Sequence, residues 1–164
     1  MMILGTTGSV GEQAIDVARA TGATVTGISA NQNVKRAEDL AREFSVESVA
    51  MADEAAAKDL KQRLSDTSIK VYSKSEGICE MISATKNDVV LNSIIGEAGL
   101  LPTLAVVDSG ARLALANKES LVVAGEIVMS RAKEKNVDIL PVDREHSAIF
   151  QCLHSGKKCE VKKL

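Results

Sequence analysis

Short apolar runs alternate with longer amphipathic segments along most of this chain, and that alternation constrains the fold more than any other feature. Apolar or β-branched runs at Met1–Leu4, Ala23–Ser29, Ser48–Met51, Ile69–Tyr72, Asp88–Leu91 (running on toward Asn92), Ala111–Ala116 and Asp138–Val142 read as strands. Between them Ser9–Ala20, Val34–Phe44, Asp53–Leu64, Glu76–Ala84, Leu100–Ser109, Leu121–Lys135 and Glu145–Leu153 carry helical spacing. Strands separated by helices at this interval cannot pair as hairpins. They predict an α/β fold, a Rossmann-like doubly wound, mostly parallel sheet with helices on both faces. The 164 residues suit one domain, or one and a small appendage. Both ends look clipped: the first strand is at minimum length, and Glu160–Leu164 reads as a strand that starts and stops.

Composition narrows the function. Twenty Lys and Arg face 22 Asp and Glu, a formal charge of −2, and aromatic residues are 2% of the chain. Without a basic stripe or stacking platforms, nucleic acid is not the expected partner. No stretch approaches the roughly 18 apolar residues of a membrane span. Cys79, Cys152 and Cys159 form no CxxC pattern, which fits a reducing compartment better than a disulfide framework. Cys152, His154 and Cys159 lie close in sequence but match no standard zinc spacing.

The residues most suited to chemistry begin at Gly5. Gly5-Thr6-Thr7-Gly8-Ser9-Val10-Gly11 joins the first strand to the first helix. In such a turn Gly5 permits the tight bend, Gly8 lets backbone approach a pyrophosphate, and Gly11 permits close helix–strand packing. The helix N-terminus then offers N–H groups to the anion, and Thr7 and Ser9 can add hydroxyls. The expected ligand is a dinucleotide. An NAD site usually places an acid about 20 residues further on. Here Ser29-Ala30-Asn31-Gln32-Asn33 supplies none, and Lys35 and Arg36 follow, which favours the 2′-phosphate of NADP.

Four segments carry a resemblance. GTTGSVG at Gly5–Gly11, IGEAGLLPTL at Ile95–Leu104, LANKESLV at Leu115–Val122 and PVDREHSAIFQ at Pro141–Gln151 together resemble the 1-deoxy-D-xylulose 5-phosphate reductoisomerase family. The resemblance covers essentially the whole chain, but only that family's N-terminal cofactor domain and the start of its catalytic domain. It implies an NADPH-binding Rossmann-like domain over residues 1–142 and a truncated catalytic-domain segment over 143–164. The implied reaction converts 1-deoxy-D-xylulose 5-phosphate to 2-C-methyl-D-erythritol 4-phosphate in isoprenoid biosynthesis, with NADPH as reductant and Mg²⁺ or Mn²⁺ on the substrate oxygens.

By position, the resemblance puts Thr7, Gly8, Ser9 and Val10, with Gly5 and Gly11, at the NADPH pyrophosphate. Asn33 falls at the adenosine ribose phosphate. Asn117 and Glu119 fall at the nicotinamide-side ribose, and Lys118 at the substrate. Asp143 and Glu145 become metal ligands, Glu145 and Arg144 also contact substrate, and Lys118 and Glu145 are the implied catalytic pair. Their placement after the strand Asp138–Val142 agrees, since ligands of such sheets bind at the carboxyl edge and carboxylates suit a hard dication. A helix N-terminus attracts acids by its dipole alone, so the two carboxylates also have a structural reading, as does His146 as a surface or capping residue. Two positions depart from the family. Arg144 stands where a serine is usual, and Asn31-Gln32 replaces a usual Gly-Lys pair.

The isolated chain is therefore expected to bind NADPH without turning over substrate. A small phosphorylated sugar is the expected substrate and a homodimer the expected state of the full-length protein. The cytoplasm is the expected location, or a plastid for a plant or algal parent. The alternatives are another NAD(P)-dependent oxidoreductase domain and a non-catalytic dinucleotide-binding module, both of which leave LANKESLV and PVDREHSAIFQ unexplained.

Overall fold

A computed structural model of the protein describes residues 1–155; Glu160–Leu164 and Cys159 lie outside the described residues. The chain runs β1 (Met2–Leu4), α1 (Ser9–Thr21), β2 (Gly27–Ala30), α2 (Val34–Phe44), β3 (Ser48–Met51), α3 (Glu54–Arg63), β4 (Lys70–Ser73), α4 (Lys74–Ala84), β5 (Val89–Asn92), α5 (Leu100–Ser109), β6 (Arg112–Leu115), α6 (Glu119–Lys135), β7 (Ile139–Pro141) and α7 (Arg144–Ser155), with a 3₁₀ turn at Gly96–Gly99 before α5.

One sheet of seven strands takes the order β4-β3-β2-β1-β5-β6-β7. Every pairing is parallel, so the sheet is wholly rather than mostly parallel. β1 lies in the interior. Its register runs Met2–Gly27 through Leu4–Ser29 on one side and Met2–Val90 through Leu4–Asn92 on the other. Met2, Ile3 and Leu4 are all 0% exposed, because a strand with neighbours on both sides and helices on both faces has no solvent side. The pleat divides them. Ile3 joins a core with Ile15, Ala37, Leu40 and Leu60 of α1–α3. Met2 and Leu4 join a second core with Met81, Val106 and Ala132 of α4–α6. The chain builds outward from β1 to β4, returns through α4, and builds the other way from β5. The switch in direction lies between β1 and β5.

Helix ends follow local chemistry. Asn33 and Asp53 cap α2 and α3 by accepting from the N–H groups of Arg36 and Ala56. Gly22 and Gly110 close α1 and α5 in the left-handed region. The strand expected over Ala23–Ser29 shrinks to Gly27–Ala30. β1 is three residues long with Met2 opposite Gly27, so residues 23–25 have no strand beside them. α6 starts two residues earlier than expected, and it is broken at Ala124, whose φ −140° and ψ 30° leave the helical region.

Candidate functional site

The turn after β1 is held from both sides. Ser29 at the end of β2 accepts from the N–H groups of Gly5 (3.1 Å) and Thr6 (2.9 Å) and from the Thr6 hydroxyl (3.0 Å). Its own hydroxyl accepts from Gly5 N–H at 3.0 Å. Across the switch point the Ser93 hydroxyl donates to the Leu4 carbonyl at 2.6 Å. Thr6, Ser29 and Ser93 were not among the residues expected at the site. Their contacts join positions 23 to 89 residues apart, which no local pattern signals.

The three glycines play different parts. Gly5 has φ +80°, a conformation that L side chains rarely adopt. A Cβ on Gly11 would stand 2.2 Å from the Gly5 carbonyl oxygen and 2.6 Å from Thr6 Cα. Gly8 has an extended backbone (φ −88°, ψ 167°), and the nearest atom to its Cβ position is 3.5 Å away. The fold thus requires Gly5 and Gly11, but it does not require Gly8. With no side chain at Gly8, the first-turn N–H groups of α1 have no side-chain cap.

A cavity of about 390 Å³ opens at this point, lined by Gly5, Thr7, Gly8, Asn31, Ser93 and Ile94 among others. It occupies the carboxyl end of the sheet where the strand order reverses. Ser9, Val10, Gly11 and Asn33 lie beside it rather than in its lining. At the end of β2 the Gln32 amide donates to Asp53 at 3.3 Å, while the Ala56 N–H and then Gln32 hold the Asp53 carboxyl below its usual range. Arg36, in the first turn of α2, places its guanidinium on Glu12 of α1 at 2.9 and 2.5 Å. That contact holds Glu12 below the ordinary carboxylate range.

The loop after β5 is fixed by a buried polar network. The Asn92 amide donates to Gly99 O (2.9 Å) and to the Thr103 hydroxyl (2.8 Å). Asn117, 2% exposed, donates to Ile94 O (2.6 Å) and Gly96 O (2.8 Å) and accepts from the Ser120 N–H (2.9 Å) and hydroxyl. Both amide hydrogens and both lone pairs of Asn117 are thereby committed to the chain itself. The Asn117 side chain thus ties the 94–96 backbone to the start of α6.

Lys118 and Asp143 are brought together in a second, apolar groove of about 500 Å³ between α6, β7 and α7, lined also by Val122, Met129, Ile149 and Phe150. Glu145 is exposed and not part of that lining. Asp143 accepts from the His146 N–H at 2.9 Å and lies 2.8 Å from His146 Nδ1. The His146 N–H holds the Asp143 carboxyl below its usual range. Asp143 thus caps the start of α7, with His146 as its exposed partner. Among the described residues no cluster of three or more His, Cys, Asp or Glu is placed to hold a metal.

A parallel sheet whose interior strand leads through a glycine turn into a helix, with a cavity at the switch point, defines the fold class of the dinucleotide-binding domains. A family model described as 1-deoxy-D-xylulose 5-phosphate reductoisomerase matches residues 1–125, and the chain belongs to that family. The Clostridium botulinum (strain Loch Maree, type A3) protein of that description is 44% identical over 166 residues, covering 99% of this chain and 43% of the relative. The chain thus spans about two fifths of the length of the curated relatives it matches. The Zymomonas mobilis reductoisomerase in complex with NADPH superimposes with a TM-score of 0.88 at 37% identity, over 93% of this chain and 40% of that one. A reductoisomerase in complex with NADPH, fosmidomycin and magnesium gives 0.89 at 36%, over 93% and 38%.

Proposed function

We propose that residues 1–142 are the NADPH-binding domain, and residues from 143 the start of the catalytic part, of an enzyme that converts 1-deoxy-D-xylulose 5-phosphate to 2-C-methyl-D-erythritol 4-phosphate. The observation that carries this is Gly8: the fold leaves room for a side chain there, so the missing one serves what approaches from the cavity. Family membership and the NADPH bound by the Zymomonas mobilis relative support the same reading.

In this proposal Thr7, Gly8, Ser9 and Val10, with the first-turn N–H groups of α1, hold the pyrophosphate. Asn33, whose oxygen caps α2, keeps its amide for the adenosine ribose phosphate. Glu119 lies toward the nicotinamide ribose, and Asn117 shapes that region through the backbone it holds. Lys118 and Arg144 contact the phosphorylated sugar. Asp143 and Glu145 offer carboxylate oxygens, the donors Mg²⁺ or Mn²⁺ prefer, and Mg²⁺ is often held by one or two carboxylates with substrate and water. When bound, NADPH supplies the hydride and the dication holds the substrate oxygens. Asp143 would have to share the oxygens that now cap α7. A homodimer in the cytoplasm is the proposed state of the full-length protein, and no described helix is long and apolar enough to cross a membrane.

Fluorescence titration of the 164-residue chain tests the cofactor assignment. NADPH is expected to bind about tenfold or more tightly than NADH, a difference of about 1.4 kcal/mol. Equal affinities would remove the 2′-phosphate preference, and no binding of either would remove the dinucleotide site. Gly8→Ala should change stability by no more than about 0.5 kcal/mol, since its Cβ would meet only an ordinary van der Waals contact at 3.5 Å. The same substitution should weaken NADPH about tenfold, because the methyl stands where the pyrophosphate approaches. A melt and a titration on one sample separate the two effects.

A further inference from the structure

We propose that Glu12 tunes the selectivity for the 2′-phosphate by competing with it for Arg36. The inference rests on the dinucleotide reading above. In sheets of this class the 2′ position of the adenosine ribose falls at the end of β2, where an acid reads a hydroxyl or an arginine reads a phosphate. Here the end of β2 is Asn31-Gln32-Asn33. Gln32 is turned to Asp53, and the Asn33 oxygen is used on α2. The cations of this segment are Lys35, which is exposed, and Arg36.

Arg36 presents its Nε and Nη2 to the two oxygens of Glu12, the fork geometry with which arginine binds a phosphate. Glu12 belongs to the first turns of α1, the helix whose N-terminus faces the cavity. A carboxylate thus stands on the arginine side chain that the phosphate needs. The pair is open to solvent, with the side chains 30% and 38% exposed, so a doubly charged phosphate can displace it. Glu12 is not needed to hold α1 against α2, because Arg19 on α1 already grips Glu43 on α2 through two contacts of 2.6 and 2.8 Å. NADH carries no 2′-phosphate and leaves the Glu12–Arg36 pair intact.

The test titrates the 164-residue chain and its variants with NADPH and with NADH and compares the ratio of the two dissociation constants. Glu12→Gln should raise the preference for NADPH about threefold. Arg36→Gln should lower it about tenfold. The double variant should match Arg36→Gln alone, because without Arg36 there is nothing to compete for. Equal weakening of both nucleotides in Arg36→Gln would make the pair a brace between helices and overturn the proposal. An unchanged ratio in Glu12→Gln, or a collapse of the ratio in Lys35→Gln instead, would overturn it too. If the unaltered chain binds neither nucleotide, the dinucleotide reading itself fails, and the inference falls with it. Thermal melts of each variant establish that the ratios come from folded protein.

Discussion

Replacing Gly11 by alanine should destabilise the domain by about 3 kcal/mol or more, a large part of the roughly 5–15 kcal/mol that holds a domain of this kind together. The added methyl would stand 2.2 Å from the Gly5 carbonyl oxygen, with Thr6 Cα and carbonyl carbon at 2.6 and 2.8 Å. All three are backbone atoms, so no rotamer change relieves the clash. Relief requires α1 to retreat from β1. That retreat strains the bonds through which Ser29 holds Gly5 and Thr6, and it opens the contact of Ile15 with the core. Urea denaturation of Gly11→Ala beside the unaltered chain measures the loss. A midpoint unchanged within error would mean that α1 moves away from β1 at little cost. The contrast with Gly8→Ala, three residues earlier in the same motif, separates a glycine that the fold needs from one that a ligand needs.

Asn117→Ala is expected to cost about 3–5 kcal/mol, on the reasoning that it strips one buried and two half-buried groups of their partners at once. Ile94 O and Gly96 O lose their donors, and the Ser120 N–H loses its acceptor. Each unsatisfied buried group costs about 1–3 kcal/mol unless water reaches it. Asn117→Asp should be no better, since a carboxylate cannot donate to the two carbonyls and would carry its charge into a site 2% exposed. Denaturation midpoints give the total. Amide hydrogen exchange gives the location, with protection expected to fall at Ser120, whose N–H is donated to the Asn117 oxygen. A loss under 1 kcal/mol would show that the network is dispensable. A loss with no change in exchange at Ser120 would show that it acts elsewhere.

Much of the fold was legible because it is written in short-range pattern. Val34–Phe44, Ser48–Met51 and Leu100–Ser109 coincide with the elements observed, since apolar spacing, an Asn or Asp cap and a glycine stop are all local signals. The strand at Ala23–Ser29 was over-read because β-branched residues signal only a tendency. A strand also needs a neighbour, and three-residue β1 supplies one only from Gly27. At the site, the turn itself was legible, and so were Gly5 and Gly11 as structural necessities. What was not legible is which polar groups are already committed. Asn117 reads in sequence as a ligand, yet its amide is consumed by carbonyls 21 and 23 residues away. Arg36 reads as a phosphate-binding cation, yet it is engaged by Glu12, 24 residues away. Such commitments are made across the sheet, between elements that the sequence keeps apart.

The break in α6 divides that helix mechanically. Its first turn is bolted to the loop after β5 through Asn117 and Ser120, and its later turns are anchored in the core by Val128 and Ala132. Ala124, between them, has left the helical region. Lys118 and Glu119 therefore stand on a short first segment whose direction is set by the network at Asn117 and Ser120, separately from the turns that the core anchors.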